Sequence, residues 1–471
     1  MRSIPEPSER TTSASPELLL RVDRRSGRPA RQQVEDSIRA AVRAGRLAAG
    51  TRLPSSRVLA GDLGVARGVV VEAYEQLAAE GYLLPRRGAG TVVAGGVAPA
   101  PPAPSTGDTP PRALRYDFRP GIPDLSLFPR QLWVRATRIG LSRLPDAALS
   151  YGDPHGLPAL RAALGGYLGR VRGVVADPDR IVLTSGFAQA LALVTRALAL
   201  AGGVVRVAVE DPGGPGQRHV VSYAGAEPVP VPVDAEGLVV ERLPAGVRAV
   251  LVTPAHQFPS GVVLSSARRA ALLHRARRED AYVIEDDYDA EYRFDREPVG
   301  AVQGLDPERV AYAGSLSKSL APALRIGWVV LPAALVDGVL RGRAATDLVP
   351  PVVAQAALAE LLAAGDLDRH LRRTRLVYRG RRDVLAEAVA KDAPGLRLAG
   401  VPAGLHAVAL LPDGADEQAV VDRAAGLSVG VHPMSTYRVL PGGPPALVLG
   451  YAPLRPGEIR EGVRLLGTVL R

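Results

Sequence analysis

Only two lysines occur in the 471 residues, Lys318 and Lys391. Lys318 lies in GSLSKSLAPALRIGW, beside Ser315 and Ser317 and seven residues before Arg325. A lysine amine forms a Schiff base with a carbonyl cofactor. Hydroxyl groups and a guanidinium can hold a phosphate. A surface lysine is the alternative, but its retention in a chain with so few lysines favours the catalytic interpretation, with Lys318 as the Schiff-base residue.

Two further motifs could complete a site of this kind. The segment IEDDYDAEY places Asp286 and Tyr288 just after an apolar run. A carboxylate there would keep a pyridine ring nitrogen protonated, and the phenol can bond the ring's 3′ oxygen. In LTSGFAQAL the amides of Gly186, Phe187 and Ala188 suit a phosphate at a helix start. The three motifs together predict a site for pyridoxal 5′-phosphate (PLP).

Other interpretations of these motifs remain open. The acidic run could form a metal-binding cluster or a solvated turn, and a strand-end TSG is common. The order and spacing of the three motifs are more specific than any one of them, so we expect PLP and no metal.

The elements that must position these residues alternate along the chain. Apolar runs in RIVLTSG, VVRVAVEDPG, AVLVTPAHQ and AYVIEDDYD are separated by amphipathic segments. This alternation predicts a largely parallel α/β sheet. Ligands of such sheets bind at the carboxyl ends of the strands, where the three motifs lie.

The composition bounds the class of protein. The length suits two or three domains, and 47% hydrophobic and 23% charged residues are typical of a globular protein. The chain lacks cysteine, which excludes disulfides, thiol catalysis and zinc–thiolate sites. No apolar run is long enough for a membrane span, and the polar start is unlike a signal peptide. We therefore expect a cytoplasmic protein without membrane contact.

Residues 16–94 are predicted to form a small α+β domain of three helices and a hairpin. The inward positions expected from helical periodicity are Val34, Ile38, Ala41, Val42, Val70, Tyr74 and Leu77. Pro54 and Ser55 mark the start of the second helix and Gly64 its end. GYLLPRRGAGTVV alternates around a glycine-rich turn, so the layout is that of a winged helix-turn-helix.

The basic charge of this segment points to DNA. The net charge of the chain is +10, and residues 1–95 hold 15 arginines against 10 acidic residues. Arg57, Arg67, Arg86 and Arg87 lie where a recognition helix and a wing would meet phosphates or a guanine edge. A solubilising surface is the alternative. Because layout and arginine placement agree, we expect binding to double-stranded DNA.

A proline- and alanine-rich stretch separates this domain from the rest. GGVAPAPPAPSTGDTPP offers no core face and is typical of a semi-rigid spacer. The alternative is a long surface loop within one domain. We assign residues 95–114 to a linker and 115–471 to the large α/β domain.

The chain resembles known families over nearly its whole length. GRLAAGTRLPSSRVLAGDLGVARGVVVEAYEQLAAEGYLLPRRGAGTVV resembles the GntR winged helix, although Ala66 and Val69 stand where Ser and Thr are common. The region from about Tyr116 onward resembles fold-type I aminotransferases, with large and small subdomains. FRPGIPDLSLFP, EDPGGPGQRH, TPAHQFPSGVVLS and IEDDYDAEYRF look like elements of the MocR subfamily of GntR-type regulators.

The resemblance implies further residues and partners. In YGDPHGLPALR, Tyr151 would reach the phosphate bound in the neighbouring subunit, which implies a homodimer, domain-swapped. His256 and Gln257 would take the place of an asparagine that aminotransferases use near the cofactor. The chain also departs from the family. Gly214 stands where an aromatic residue stacks on the ring, a contact that Phe187 could supply instead.

A second departure concerns the substrate carboxylate. Val448 stands where many aminotransferases have a carboxylate-binding arginine, and Arg218 or Arg438 could substitute for it. The resemblance implies a PLP-dependent regulator that senses PLP, or PLP linked to an amine or amino acid, and that controls genes of vitamin B6 or amino-compound metabolism. The alternative is an active aminotransferase with a DNA-binding appendage. A PLP-free DNA-binding scaffold would need Lys318, Asp286 and Arg325 all to be coincidental.

Overall fold

A computed structural model describes residues 22–86, 90–96, 114–200, 203–294 and 299–470. The chain divides into two compact units, Met1–Arg112 and Ala113–Arg471. Most of the linker assigned to 95–114 lies outside the described residues, so its extended form and the three assigned boundaries stay predictions.

The first unit contains the three helices and the hairpin expected from the sequence. They are α1 (Ala30–Arg43), α2 (Ser56–Leu63), α3 (Arg67–Ala79), β1 (Leu83–Arg86) and β2 (Gly90–Val93). The two strands pair antiparallel. The Ser55 side chain accepts a hydrogen bond from the amide of Val58, and Gly64 ends α2 with a φ of +62°. The predicted start and end signals of α2 are confirmed.

The core of this unit is the set of positions predicted from periodicity. Val34, Ile38, Val70 and Leu77 are at most 1% exposed, and the other predicted inward residues are also buried. The hydroxyl of Tyr74 donates to the carbonyl of Pro54 over 3.0 Å. This bond fixes α3 against the start of α2, as a helix-turn-helix requires.

The second unit begins with a large α/β layer. β3 (Tyr116–Asp117) precedes this layer in the chain. The strands of the layer are β4 (Ile181–Thr184), β5 (Arg206–Asp211), β6 (Glu227–Asp234), β7 (Gly237–Leu238), β8 (Ala249–Val252), β9 (Tyr282–Asp286), β10 (Val310–Ser315) and β11 (Gly327–Val330). Its helices are α4 (Arg130–Arg143), α5 (Pro158–Arg172), α6 (Phe187–Ala199), α7 (Pro215–Tyr223), α8 (Ser266–Arg278), α9 (Ala333–Ala344), α10 (Val352–Ala363) and α11 (Asp366–Asp392).

The main sheet has eight strands in the order β4-β11-β10-β9-β8-β5-β6-β7. The pairs from β10 through β9, β8 and β5 to β6 are parallel, and β11 runs antiparallel to both its neighbours. The central strands are buried along their length, as continuous apolar runs covered on both faces require. The predicted, largely parallel α/β sheet is confirmed.

The chain ends in a smaller layer. Its elements are β12 (Arg397–Ala399), β13 (His406–Leu410), α12 (Glu417–Gly426), β14 (Val429–Gly430), β15 (His432–Pro433), β16 (Ala446–Gly450) and α13 (Pro456–Val469). The strands β12-β13-β16-β15 form an antiparallel sheet, and β14 pairs with β3. α13 and the end of α11 pack beside this sheet around a shared apolar core that includes Phe118 and Leu385.

The fold places the predicted cofactor-binding residues of β9 and β10 at one edge of the main sheet. Asp286 is the last residue of β9, and Ser315 is the last residue of β10. Asp286 pairs in register with Ala313, five residues before Lys318. Because β9 and β10 are parallel, their carboxyl ends meet at the same edge. No helix of the described residues is long and apolar enough to cross a membrane.

Candidate functional site

A pocket of about 540 Å³ opens at this edge of the sheet. It is lined by eight residues that the sequence assigned to the cofactor: Phe187, Ala188, Asp286, Tyr288, Ser315, Ser317, Lys318 and Arg325. They come from four separate stretches of the chain, which the sheet brings together. These eight of the predicted cofactor residues converge on the pocket.

Lys318 follows the carboxyl end of β10 and lines the pocket. Its ammonium group donates to the carbonyl of Gly121. Burial lowers the pKa of Lys318, and the charges of Asp289 and Asp286 oppose that change. A lowered pKa leaves more of the amine unprotonated at neutral pH, which is the form that attacks a carbonyl carbon.

Asp286 lies buried beside the pocket with one oxygen left unbonded. Its Oδ2 accepts from Nε2 of Gln217 at 2.9 Å. Its Oδ1 is buried and finds no hydrogen-bond partner among the described residues. Burial, followed by the charge of Asp287, raises the pKa of Asp286 well above its usual range. A buried carboxylate with a free acceptor oxygen suits a protonated ring nitrogen, whose charge would offset the burial.

An anion cradle forms around the start of α6. A Cβ at Gly186 would lie 3.2 Å from both terminal nitrogens of Arg325, so the guanidinium rests against bare backbone. The φ of Gly186 is +106°, a value that favours glycine. Ser315 and Ser317 line the same pocket. Amides at a helix start, hydroxyls and a guanidinium are the groups that hold a phosphate.

The residues present therefore fit PLP. The cradle suits its phosphate, Asp286 suits its ring nitrogen, Tyr288 suits its 3′ oxygen and Lys318 suits its aldehyde. The roles of the individual residues stay predictions. Their placement around one pocket is what the fold adds to them.

The acidic run after β9 is neither a solvated turn nor a single cluster. Asp286, Asp287 and Asp289 are 6% exposed or less. Asp287 pairs with Arg172 at 2.7 Å, accepts from Tyr312 and so anchors the segment in the core. Asp289 instead lies 2.9 Å from a nitrogen of His256. The three carboxylates point to three different partners.

One group of possible metal ligands exists among the described residues. Ligand atoms of His256, Asp289 and His406 lie within 4.8 Å of one another, and all three residues are buried. Hydrogen bonds already engage them, since His256 meets Asp289 and Nε2 of His406 lies 3.1 Å from the carbonyl of Pro259. The sequence pointed to no metal, and this group was not foreseen.

His256 and Gln257 do not line the pocket. The amide nitrogen of Gln257 lies 2.9 Å from the carbonyl of Pro212 and 2.7 Å from that of Phe258, and its oxygen accepts from Ser260. Gln257 thus holds the turn together. His256 sits behind Tyr288, and Phe258 faces the pocket instead. Direct contact of His256 or Gln257 with a cofactor stays a prediction without support from this geometry.

The residues considered for carboxylate binding also lie off the pocket wall. Arg218 donates to the carbonyl of Gly213 at 2.8 Å, and Arg438 donates to that of Pro444 at 2.6 Å. Val448 is fully buried within β16. Gly214 lines the pocket, as does Phe187, the residue expected to replace the missing aromatic contact.

Tyr151 is the most exposed of the predicted cofactor residues. Its side chain is 82% exposed and lies outside the pocket lining. A side chain that contacts the cofactor of a neighbouring subunit would be exposed in a single chain. The exposure of Tyr151 is therefore compatible with its predicted role but does not test it.

Sequence reasoning missed several residues of the pocket wall. Gln217 lies on α7, three residues after Gly214, and reaches Asp286. Gly121, Leu405 and His406 join from segments distant in sequence. A polar residue one turn into the helix after DPG is a signal that could have found Gln217. No local pattern marks the other three.

The first unit exposes its predicted DNA-contacting residues. Arg57 on α2, Arg67 at the start of α3 and Arg86 at the end of β1 are all exposed. Nε of Arg67 lies 3.4 Å from the hydroxyl of Ser56. Arg87 lies outside the described residues. Ala66 precedes α3 without a side-chain cap, as its departure from the family predicts.

Two family models match the chain. The model described as bacterial regulatory proteins, gntR family, covers residues 30–93, and that described as aminotransferase class I and II covers residues 132–445. The two matches fall on the two units separately.

Curated relatives share the whole arrangement. The chain is 36% identical to the probable rhizopine catabolism regulatory protein MocR of Rhizobium meliloti, over 95% of each chain. It is 35% identical to the pyridoxine biosynthesis transcriptional regulator PdxR of Corynebacterium glutamicum, over 89% of this chain and 91% of that one.

Solved structures match the second unit. A kynurenine aminotransferase of Pyrococcus horikoshii, in complex with PMP, is 28% identical with a TM-score of 0.70, over 76% of this chain and 91% of that one. The α-aminoadipate aminotransferase LysN of Thermus thermophilus, complexed with N-(5′-phosphopyridoxyl)-L-leucine, is 27% identical with a TM-score of 0.68, over 76% and 92%.

Proposed function

The chain belongs to the MocR-type GntR transcription regulators, and we propose that its aminotransferase-like unit binds PLP and uses it to control DNA binding by the winged helix. The signal is PLP itself, or PLP joined to a small amine or amino acid. The observation that carries the binding of PLP is Oδ1 of Asp286, which is buried and has no hydrogen-bond partner among the described residues, beside the pocket that Lys318 also lines.

Different residues of the pocket would bind different parts of the cofactor. When bound, PLP supplies an aldehyde that condenses with amines and a ring that withdraws electrons. Lys318 would hold it through its amine, and Asp286 would keep a proton on the ring nitrogen. Arg325 and the amides at the start of α6 neutralise and orient the phosphate. Tyr288 donates a hydrogen bond beside the aldehyde.

Control of DNA requires two states with different affinity for the ligand. A ligand shifts the balance between them only by binding one better than the other. We propose a homodimer, domain-swapped, whose two winged helices fit or misfit paired half-sites as the large units change shape. The exposed Tyr151 would then reach the partner's cofactor phosphate, which makes the site depend on the dimer.

Relatives suggest which genes are controlled. One is named for pyridoxine biosynthesis and another for rhizopine catabolism. By this likeness the targets here are genes of vitamin B6 or amino-compound metabolism.

The experiment is selection of DNA sites from a random duplex library by the PLP-loaded and the PLP-free protein. We expect an enriched paired half-site motif whose affinity changes with PLP. Lys318→Ala should lose that change and keep DNA binding, because the winged helix is a separate unit. Identical affinity of loaded and free protein would refute the coupling, and no enriched site would refute sequence-specific binding.

A working aminotransferase is the second candidate, because the matched solved structures include aminotransferases and Lys318 faces the pocket. Steady turnover needs two substrates in alternation. A screen of amino donors with a keto-acid acceptor measures the amount of product formed per bound PLP. One product per PLP indicates a single half-reaction, and more than one indicates turnover. Multiple turnovers would favour the enzyme.

A further inference from the structure

A hydrogen-bonded pair of buried side chains stands behind Tyr288. Nδ1 of His256 lies 2.9 Å from Oδ2 of Asp289, and Oη of Tyr288 lies 3.1 Å from the same nitrogen. His256 and Asp289 are 3% and 2% exposed. The imidazole and phenol rings are inclined at 29° to each other, with centroids 6.2 Å apart. Only Tyr288 of the three lines the pocket.

We propose that His256 and Asp289 are positioning residues that act on the bound cofactor through Tyr288. This inference rests on the proposed binding of PLP. His256 would not touch the cofactor. It would fix the phenol so that the hydroxyl proton of Tyr288 is offered to the 3′ oxygen.

The direction of the hydrogen bonds follows from which atoms carry protons. A carboxylate only accepts, so Nδ1 of His256 must donate to Asp289. Protonated Nδ1 has no lone pair with which to accept a hydrogen bond from Tyr288. The phenol oxygen can therefore only act as a second acceptor of the N–H that His256 donates to Asp289. The proton of Tyr288 is therefore available to an acceptor, either the carboxylate of Asp289, with which the phenol also interacts, or an oxygen of a ligand in the pocket.

The surroundings keep this arrangement in one protonation state. Burial raises the pKa of Tyr288 well above its usual value, and the charges of Asp289, Asp286 and Glu210 and a hydrogen bond to Asp289 raise it further, so the phenol stays a donor. The ring of His406 lies 4.9 Å from that of His256. Burial lowers the pKa of His406 to about 3, so it brings no second charge to the pair. Lys318, three residues after the end of β10, is a cation whose charge interacts with Asp289 and Asp286.

The backbone reserves space for the pair. A Cβ at Gly404, whose φ is +70°, would overlap both the carboxylate of Asp289 and the ring of His256. The hydroxyl of Tyr451 donates to the carbonyl of Gly404 at 2.7 Å, which holds that backbone in place. Close packing of this kind fixes a side chain in one orientation.

The test is a pH titration of the visible spectrum of the bound cofactor. A donor to the 3′ oxygen stabilises its anionic form, so losing the donor raises the pH midpoint of the spectral change. We expect Tyr288→Phe and His256→Ala each to raise the midpoint by about one pH unit. His256→Asn, whose amide can take the place of Nδ1, should restore part of the wild-type value. His274→Ala, an exposed histidine of α8, is the matched control and should not move it.

A double variant decides whether His256 acts through Tyr288. If it does, His256→Ala adds nothing to Tyr288→Phe, because two changes in one chain of contacts are not additive. Full additivity, or no shift in either single variant, would overturn the proposal. If His256→Ala does not fold, Asp289→Asn tests the same pair, because it weakens the acceptor that holds the N–H of His256.

Failure of this inference can be told from failure of the proposed function. A wild-type protein that shows no visible band with PLP contradicts cofactor binding itself. If the band has the same pH midpoint in the wild type and in every variant, only the role of the pair is contradicted. PLP stoichiometry and melting temperature, measured on each variant, show that a shift does not come from a damaged fold.

Discussion

Gln217 donates a hydrogen bond to Oδ2 of Asp286 over 2.9 Å, and the other carboxylate oxygen remains buried without a partner among the described residues. The amide comes from α7 and the carboxylate from the end of β9. The bond satisfies one carboxylate oxygen within the protein and leaves the other available to the proposed cofactor. A buried acceptor left unbonded has a cost, which a protonated ring nitrogen would remove.

Loss of this carboxylate should weaken cofactor retention. Asp286→Ala removes a charge-assisted hydrogen bond, which contributes about 1.5–3 kcal/mol, so the dissociation constant for PLP should rise roughly tenfold to a hundredfold. Equilibrium dialysis measures it. Gln217→Leu should give a smaller rise. Asp337→Ala, an exposed aspartate of α9, should leave retention unchanged. Wild-type retention in Asp286→Ala would remove it from the ring-nitrogen role.

The phosphate cradle can be tested by comparing two ligands. Arg325→Ala should weaken PLP by roughly tenfold to a hundredfold, because a charged hydrogen bond to phosphate is lost. Pyridoxal, which has no phosphate, should be affected far less. Arg341→Ala, an exposed arginine of α9, is the control. Equal losses for both ligands would mean that Arg325 supports the fold of the pocket and not the phosphate.

DNA contact can be separated from cofactor content. Arg67→Ala should weaken binding to the selected site, and the dependence of log affinity on log salt should become shallower by about one unit if Arg67 contacts a phosphate. PLP content should not change, because Arg67 belongs to the first unit. Fluorescence anisotropy at several salt concentrations measures both quantities. Arg460→Ala, exposed on α13, is the control. Unaltered affinity would take Arg67 out of the interface.

Glu210 makes the stability of the second unit depend on pH. Burial raises its pKa from 4.5 to about 7, although Thr253 and Gln257 donate to it. The folded chain thus holds a proton that the unfolded chain releases between about pH 4.5 and 7. This contribution to stability is full below that window and is lost as the pH rises through it, by on the order of 3 kcal/mol.

Glu210→Gln keeps an acceptor and removes the charge. Relative to wild type, the variant should gain thermal stability at pH 8 over pH 5, because the wild type alone must bury an ionised carboxylate there. Melting curves of the PLP-free protein at both pH values give the comparison. Glu387→Gln, exposed on α11, should show no such difference. A variant that follows the wild-type profile would show that Glu210 ionises without cost.

The features that could be predicted from the sequence are those that a local residue pattern determines. Helical spacing identified the buried face of the winged helix, including Ile38 and Leu77, since periodicity alone sets which side faces the core. Lys318 and Asp286 could be placed together because parallel strands end at one edge. His406 could not be foreseen, because its contact with the pocket is made by a strand of the smaller layer.

The turn after β8 shows what sequence spacing leaves undetermined. His256 and Gln257 were expected at the cofactor by analogy of position. The conformation of the turn decides which side chain faces the pocket, and it selects Phe258. The amide of Gln257 is used by carbonyl groups of its own neighbourhood. Sequence spacing does not encode that choice.

The central claim is that Lys318 carries the cofactor, and borohydride reduction of the PLP-loaded protein followed by mass mapping tests it most directly. Lys391, the only other lysine of the chain, is an internal control. The account predicts loss of the visible band and one phosphopyridoxyl group on the peptide that contains Lys318. A group on Lys391, or no modified peptide from protein incubated with excess PLP, would contradict it.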